Sequence, residues 1–165
     1  MPKSLTHEIL KEVGRKAVRL ANTLSWKKTK ERWLHGVVLG LLEASIGDMQ
    51  SEFLFDSSIK RIDFRHGSSN PDVIELVVRV NGGELYGSQN ISELKKLCKI
   101  PYSRARRRIL LLLDASYLSS IRKRDLKRTY SNLTAGKGRF TRNQVTVMYI
   151  HPETEYSFRW SPFSS

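Results

Sequence analysis

Apolar residues recur at three- and four-residue steps at the start of this chain and at two-residue steps further on. Leu5, Ile9, Val13, Ala17, Leu20 and Leu24 predict a helix over residues 4–24, with Ser4 as its cap. A polar link follows over 25–30. Trp33, Val37, Leu41 and Leu34, Val38, Leu42 form adjoining stripes of a second helix over 30–46, which Gly47 can stop. Gly36 and Gly40 stand four apart, so one face of this helix is expected to approach another element closely.

The period then drops to two. Residues 52–56 and 58–65 predict strands joined by the turn Asp56-Ser57-Ser58, with Ile62 and Phe64 on one face and Arg61, Asp63 and Arg65 on the other. A loop follows over 66–71. Residues 73–80 alternate most cleanly: Ile74, Leu76, Val78 and Val80 make one apolar face, and Val73, Glu75, Val77 and Arg79 make the other. Asn81-Gly82-Gly83 predicts a turn and 84–87 a short return strand. Asn90 and Glu93 have the spacing of a capping box for a helix over 91–99, buried through Ile91, Leu94, Leu97 and Cys98 and stopped by Pro101. The apolar run within 108–114 predicts an interior strand covered on both faces. A basic helix over 120–133, a loop over 134–140, and a hairpin of 144–150 with 155–160 complete the order. The predicted class is mixed α/β (α+β), a central mixed sheet flanked by helices and ending in a C-terminal β-hairpin.

With 165 residues, 39% of them hydrophobic and 27% charged, the chain fits one globular domain over 1–165. Within it, 1–29 supplies a helix and link, 30–114 the core, and 115–165 the basic helix, loop and hairpin. One cysteine, Cys98, excludes an internal disulfide framework and a cysteine-only zinc site. His7, His35, His66 and His151 show no metal-ligand spacing, and only His66 falls near candidate acids, in a loop. The apolar runs at 36–42 and 109–113 are too short to span a bilayer, and the first residues lack the pattern of a secretory signal. A cytoplasmic protein with no membrane partner is expected.

Charge changes the picture more. The chain carries 29 Lys and Arg against 16 Asp and Glu, a net +13. Residues 1–35 hold +6, 36–98 hold −3, 99–142 hold +11 and 143–165 hold −1. Two positive blocks therefore flank an acidic middle. The clusters Arg104, Arg106, Arg107, Arg108 and Arg122, Lys123, Arg124, Lys127, Arg128 repel one another, and an anionic partner would relieve that repulsion and release counterions. Nucleic acid is the expected partner, DNA ahead of RNA, with an acidic protein as the alternative. Gly136-Lys137-Gly138-Arg139 adds a basic loop suited to a phosphate, without the spacing of a Walker A loop.

The acidic middle holds the candidate chemistry. Asp63 and Glu75 fall on neighbouring strands, both on the more polar face, where two carboxylates can share a divalent ion. Mg²⁺ asks for one or two carboxylates and keeps its waters for the phosphate and the nucleophile. Glu43 lies on the glycine-bearing face of the second helix and joins them if that face packs on the sheet. Asp72 is another acid within reach. Alternatively, Arg61, Asp63 and Arg65 form a cross-strand charge ladder with Glu75 and Arg79.

Over about residues 30–114 the order helix, three antiparallel strands, helix, strand resembles the restriction-endonuclease-like nucleases, known for the PD-(D/E)XK motif. The resemblance implies a Mg²⁺-dependent phosphodiesterase with Asp63 as the motif's Asp, Glu75 as its Glu and Glu43 as the helix acid. It further implies that a metal-bound water attacks the phosphodiester. Val77 stands where the family has its Lys. Arg79, next on that face, can hold a phosphate but is a poor general base. Two other alignments stay open. One takes Pro71-Asp72 as the literal Pro-Asp, and the other takes Glu93-Leu94-Lys95 as a Glu-x-Lys on a helix. The expectation is a nucleic-acid-acting protein: an endonuclease if the site is active, otherwise a DNA- or RNA-binding module of the same fold or a basic interaction protein. A homodimer is left open.

Overall fold

The structure is a computed structural model that describes residues 3–23, 30–53, 61–79, 88–116, 118–134 and 144–160. Among these residues the elements run α1 (His7–Thr23), α2 (Lys30–Ile46), β1 (Met49–Phe53), β2 (Ile62–His66), β3 (Asp72–Arg79), α3 (Ser88–Cys98), β4 (Arg107–Asp114), α4 (Lys123–Thr134), β5 (Val145–Ile150) and β6 (Glu155–Trp160). The strands form one sheet in the order β1-β2-β3-β4-β5-β6. Neighbours are antiparallel from β1 to β3, parallel from β3 to β5, and antiparallel again at β6. The expected mixed α/β class, with its C-terminal hairpin, is what the chain adopts. No helix among the described residues is long and apolar enough to cross a membrane.

Parallel neighbours need crossovers, and β3-α3-β4 and β4-α4-β5 step the same way along the sheet. Crossovers of one hand that step the same way put their helices on the same face. Leu94, Leu97 and Cys98 of α3 and Leu126 and Tyr130 of α4 accordingly share one core with Val73, Val77, Leu110 and Leu112. Helices α1 and α2 cover the other face, over Ile74, Leu76, Ile109, Leu111 and Leu113. Strand β4 feeds both cores by alternation, which is why its run has no polar residue.

Several boundaries and faces differ from those expected. Thr6, not Ser4, caps α1: its Oγ1 accepts the Ile9 N–H at 3.2 Å. The buried stripe of α1 is Leu10, Val13, Gly14, Ala17, Val18 and Ala21, while Leu20 is exposed. Small residues set that stripe because α1 lies close on β5. A Cβ on Gly14 would stand 2.1 Å from Ile150 Cδ1 and 3.2 Å from Leu113 Cδ2. The close approach expected at Gly36 and Gly40 is absent, since a Cβ there meets nothing within 4 Å. Strand β1 starts at Met49, and α3 starts at Ser88, so that Asn90 lies inside the helix. The turn expected at 56–58 and the return strand at 84–87 include residues outside those described.

These glycines make a paired prediction. Gly36→Ala and Gly40→Ala should each stabilise by about 0.5–1 kcal/mol through helix propensity. Gly14→Val should cost about 2 kcal/mol through overpacking. Urea midpoints at a constant m-value check both signs.

Candidate active site

Strand β2 pairs with β3 from His66↔Asp72 to Phe64↔Ile74. Just beyond, a side chain takes over: Asp63 Oδ2 accepts the Leu76 N–H at 2.8 Å. The strand rolls there, so Ile62 and Phe64 do not share a face as expected. Ile62 enters the α3/α4 core and Phe64 the α1/α2 core. Asp63 is thereby met from both sides of the sheet. From α2, His35 lies against the Phe64 ring, centroids 5.8 Å apart, and its Nδ1 stands 3.7 Å from Asp63 Oδ1.

From the other side comes α3. Glu75 shares the strand face of Val73 and Val77, which pack under that helix. Its Oε1 is 2.8 Å from Lys96 Nζ. The same ammonium stands 2.7 Å from Glu93 Oε2 and donates to the Arg61 carbonyl at 2.9 Å. Glu93 and Lys96 are one turn apart and border Leu94 and Leu97, which bury α3 on the sheet. Glu75 and Glu93 thus gather about one lysine, and Asp63 stands against Glu75.

The electrostatics follow from that crowding. Burial pushes the Glu75 carboxyl up to about 11, and its carboxylate neighbours Glu93 and Asp63 push it the same way. Burial alone would lower Lys96, but the charges and hydrogen bonds of Glu75 and Glu93 outweigh it and hold the ammonium above its usual range. Both shifts have one origin, negative charge in excess at a place with little water. Perturbed groups held together in this way make the cluster a candidate functional site.

Other expected members are placed elsewhere. Glu43 is not brought to this centre: it is exposed near the far end of α2, where its Oε2 accepts the Met49 N–H at 3.0 Å. His35 precedes it by about 12 Å of helix rise and is the α2 side chain at Asp63. Arg79 reaches β4, pairing with the fully buried Asp114 at 3.1 Å. Asp114 also accepts the Tyr149 and Ser116 hydroxyls, each at 2.6 Å. Arg79 therefore braces the end of the sheet, and the cation beside Glu75 is Lys96. Asp72, the literal Pro-Asp candidate, is buried at the start of β3 under Arg106 and Arg107, at 2.7 and 2.8 Å. His66 faces this aspartate, Nδ1 to Oδ2 4.0 Å, rather than solvent in a loop.

Sequence reasoning missed Lys96 and His35, and reached Glu93 only in the alternative that pairs it with Lys95. The signal for Glu93 with Lys96 was present in an altered form. Two residues separate side chains on one face of a strand, but three or four do so on a helix. The helical counterpart of Glu-x-Lys is therefore Glu93-x-x-Lys96, not Glu93-Leu94-Lys95. No pattern marked His35.

The cationic residues divide into two groups. Arg108 is buried, donates to the carbonyls of Gln144, Ile100 and Ala105, and stacks 4.0 Å from the Tyr102 ring centre. Arg107 is spent on Asp72 and the Leu5 carbonyl. Arg106 is half exposed and Arg104 exposed. On α4 and the residue before it, Arg122, Arg124 and Arg128 are 75%, 78% and 69% exposed around Asp125, with Lys123 and Lys127 exposed beside them. This helix covers the same face of the sheet as α3. Lys137 and Arg139 lie outside the described residues.

Among the described residues no three His, Cys, Asp or Glu side chains are arranged as a ready-made metal cage. The donor chemistry of Asp63 and Glu75 nevertheless suits a hard divalent ion, which needs only one or two carboxylates. No family model matches the chain, and no curated protein or solved structure matches it significantly.

Proposed function

We propose that this chain is a divalent-metal-dependent nuclease, cytoplasmic, with the organisation of the restriction-endonuclease-like enzymes. One observation carries the reading: Asp63 from β2, and Glu93 with Lys96 from α3, meet the buried Glu75 carboxyl of β3 in a chain of net charge +13. The order α2-β1-β2-β3-α3-β4, with β3 and β4 parallel, agrees with the core of that family. Lys96 supplies from a helix the cation that the motif draws from the strand position held by Val77. Asp63 and Glu75 would hold Mg²⁺, which when bound supplies a Lewis acid and an activated water. Lys96 carries its charge to the same point, where it can face a phosphoryl oxygen. Phosphate contacts then come from α4 and the residue before it, through Arg122, Lys123, Arg124, Lys127 and Arg128, with Arg104 and Arg106 at the start of β4. DNA is favoured over RNA as the substrate.

The test is incubation with labelled DNA and RNA, with and without Mg²⁺ or Mn²⁺, scored for binding and for cleavage. Metal-dependent cleavage that Asp63→Ala abolishes, with binding retained, is expected. A second reading, a binding module without turnover, draws on Val77 and on the ties that hold Lys96 to Glu75, Glu93 and Arg61. Salt-sensitive binding with no cleavage under any metal would favour it. No retention of either nucleic acid near physiological salt would leave only the basic protein that docks an acidic partner.

A further inference from the structure

We infer that the Lys96 ammonium is the resident counter-ion of the carboxylate cluster and that a divalent cation exchanges with it, so that metal entry and release of Lys96 from between Glu75 and Glu93 are one event. The inference rests on the divalent-metal reading above and goes further, by assigning the lysine a gating role.

The geometry is that of a chelated cation. Nζ stands 2.8 Å from Glu75 Oε1, 2.7 Å from Glu93 Oε2 and 2.9 Å from the Arg61 carbonyl oxygen. Two carboxylates and a carbonyl around one positive point are also the ligand types a hard divalent ion takes. Charge gives the exchange its direction. Two carboxylates, Glu75 and Glu93, stand against one ammonium, and a divalent ion brings twice its charge to the same oxygens. The departing group suits the task. A lysine is a compact charge on a flexible four-carbon stem and can leave by rotation about its own bonds, whereas an arginine fork held by two carboxylates would not. Burial favours a close cation: Glu75 is 1% exposed, and its carboxylate form has little water to stabilise it.

Lys96→Met keeps the apolar stem and removes the charge. Melting is measured with chelator and with millimolar Mn²⁺, and Mn²⁺ affinity by calorimetry. With chelator the variant should melt about 10 °C below wild type. Mn²⁺ should raise its melting temperature by at least about 4 °C more than it raises that of wild type, and should bind about tenfold tighter. Adding Glu75→Gln should abolish the extra response. Equal Mn²⁺ responses in wild type and Lys96→Met overturn the exchange and leave the metal reading standing. No response or binding heat in either overturns both. A variant that folds only with Mn²⁺ supports the exchange. One that stays unfolded in both conditions overturns it, because Mn²⁺ then fails to replace the ammonium. An extra response that survives Glu75→Gln overturns it as surface binding.

Discussion

Asp72→Ala should lower stability by about 1–3 kcal/mol, because Arg106 and Arg107 lose a shared buried acceptor while keeping access to water. Asp72 is 1% exposed and takes hydrogen bonds from Arg106 at 3.1 and 2.7 Å and from Arg107 at 2.9 and 2.8 Å. Arg107 also reaches the Leu5 carbonyl, so the loss spreads to the start of α1. Burial raises the Asp72 carboxyl, but the hydrogen bonds and charges of Arg107 and Arg106 outweigh it and hold the group below its usual range near 3.8. A carboxyl depressed in the folded state stabilises above its ordinary value, and that stabilisation disappears as pH falls through the folded one. Wild type should therefore weaken below about pH 4, while Asp72→Asn should start weaker and show a flatter acid limb. Urea midpoints across pH separate the two. A neutral midpoint for Asp72→Ala within error of wild type would remove the pair from any account of stability.

Glu75→Gln should separate activity from stability. On the proposed nuclease reading, cleavage should fall by at least about 10³-fold, the scale for loss of a central catalytic group. Stability at neutral pH should rise by about 1 kcal/mol, because the amide needs no proton where the buried carboxyl must take one up on folding. The sign follows from the direction of the shift. Burial and the Glu93 and Asp63 carboxylates raise Glu75 to about 11 from an ordinary 4.5, so its contribution is complete below 4.5 and is lost as pH climbs toward 11. The wild-type curve should accordingly decline from about pH 4.5 upward, and the Glu75→Gln curve should decline less. A variant that keeps cleaving would reduce Glu75 to a cross-strand charge. One that loses both activity and stability would make it structural.

Much of the fold could be read from the chain because strong periodicity and burial agree there. Helix α2 and strands β4, β5 and β6 fall within a residue or so of their expected ends. Helix α1 was found but rotated, because its contact face is built from Gly14, Ala17 and Ala21, which carry little hydrophobic weight. Strand β2 broke its alternation where the Asp63 side chain took the Leu76 amide. At the site, Glu75 could be found because strand alternation fixes its side of the sheet, and Asp63 was found although alternation fails around it. Lys96, the pairing of Glu93 with it, and His35 could not, because their places depend on how α3 and α2 are phased against the sheet, a long-range contact with no local signature.

The crossover that carries Lys96 also frees the centre from any fixed spacing along the chain. Glu75 sits on β3 and Lys96 on α3, and what sets their 2.8 Å separation is the seating of Leu94 and Leu97 on the sheet. The length of the segment between strand and helix does not enter. Insertions or deletions there can accumulate across relatives while the pair itself persists. Kinship among such sequences would then show as two acids and a base superposed in space, where a search for a linear signature finds nothing.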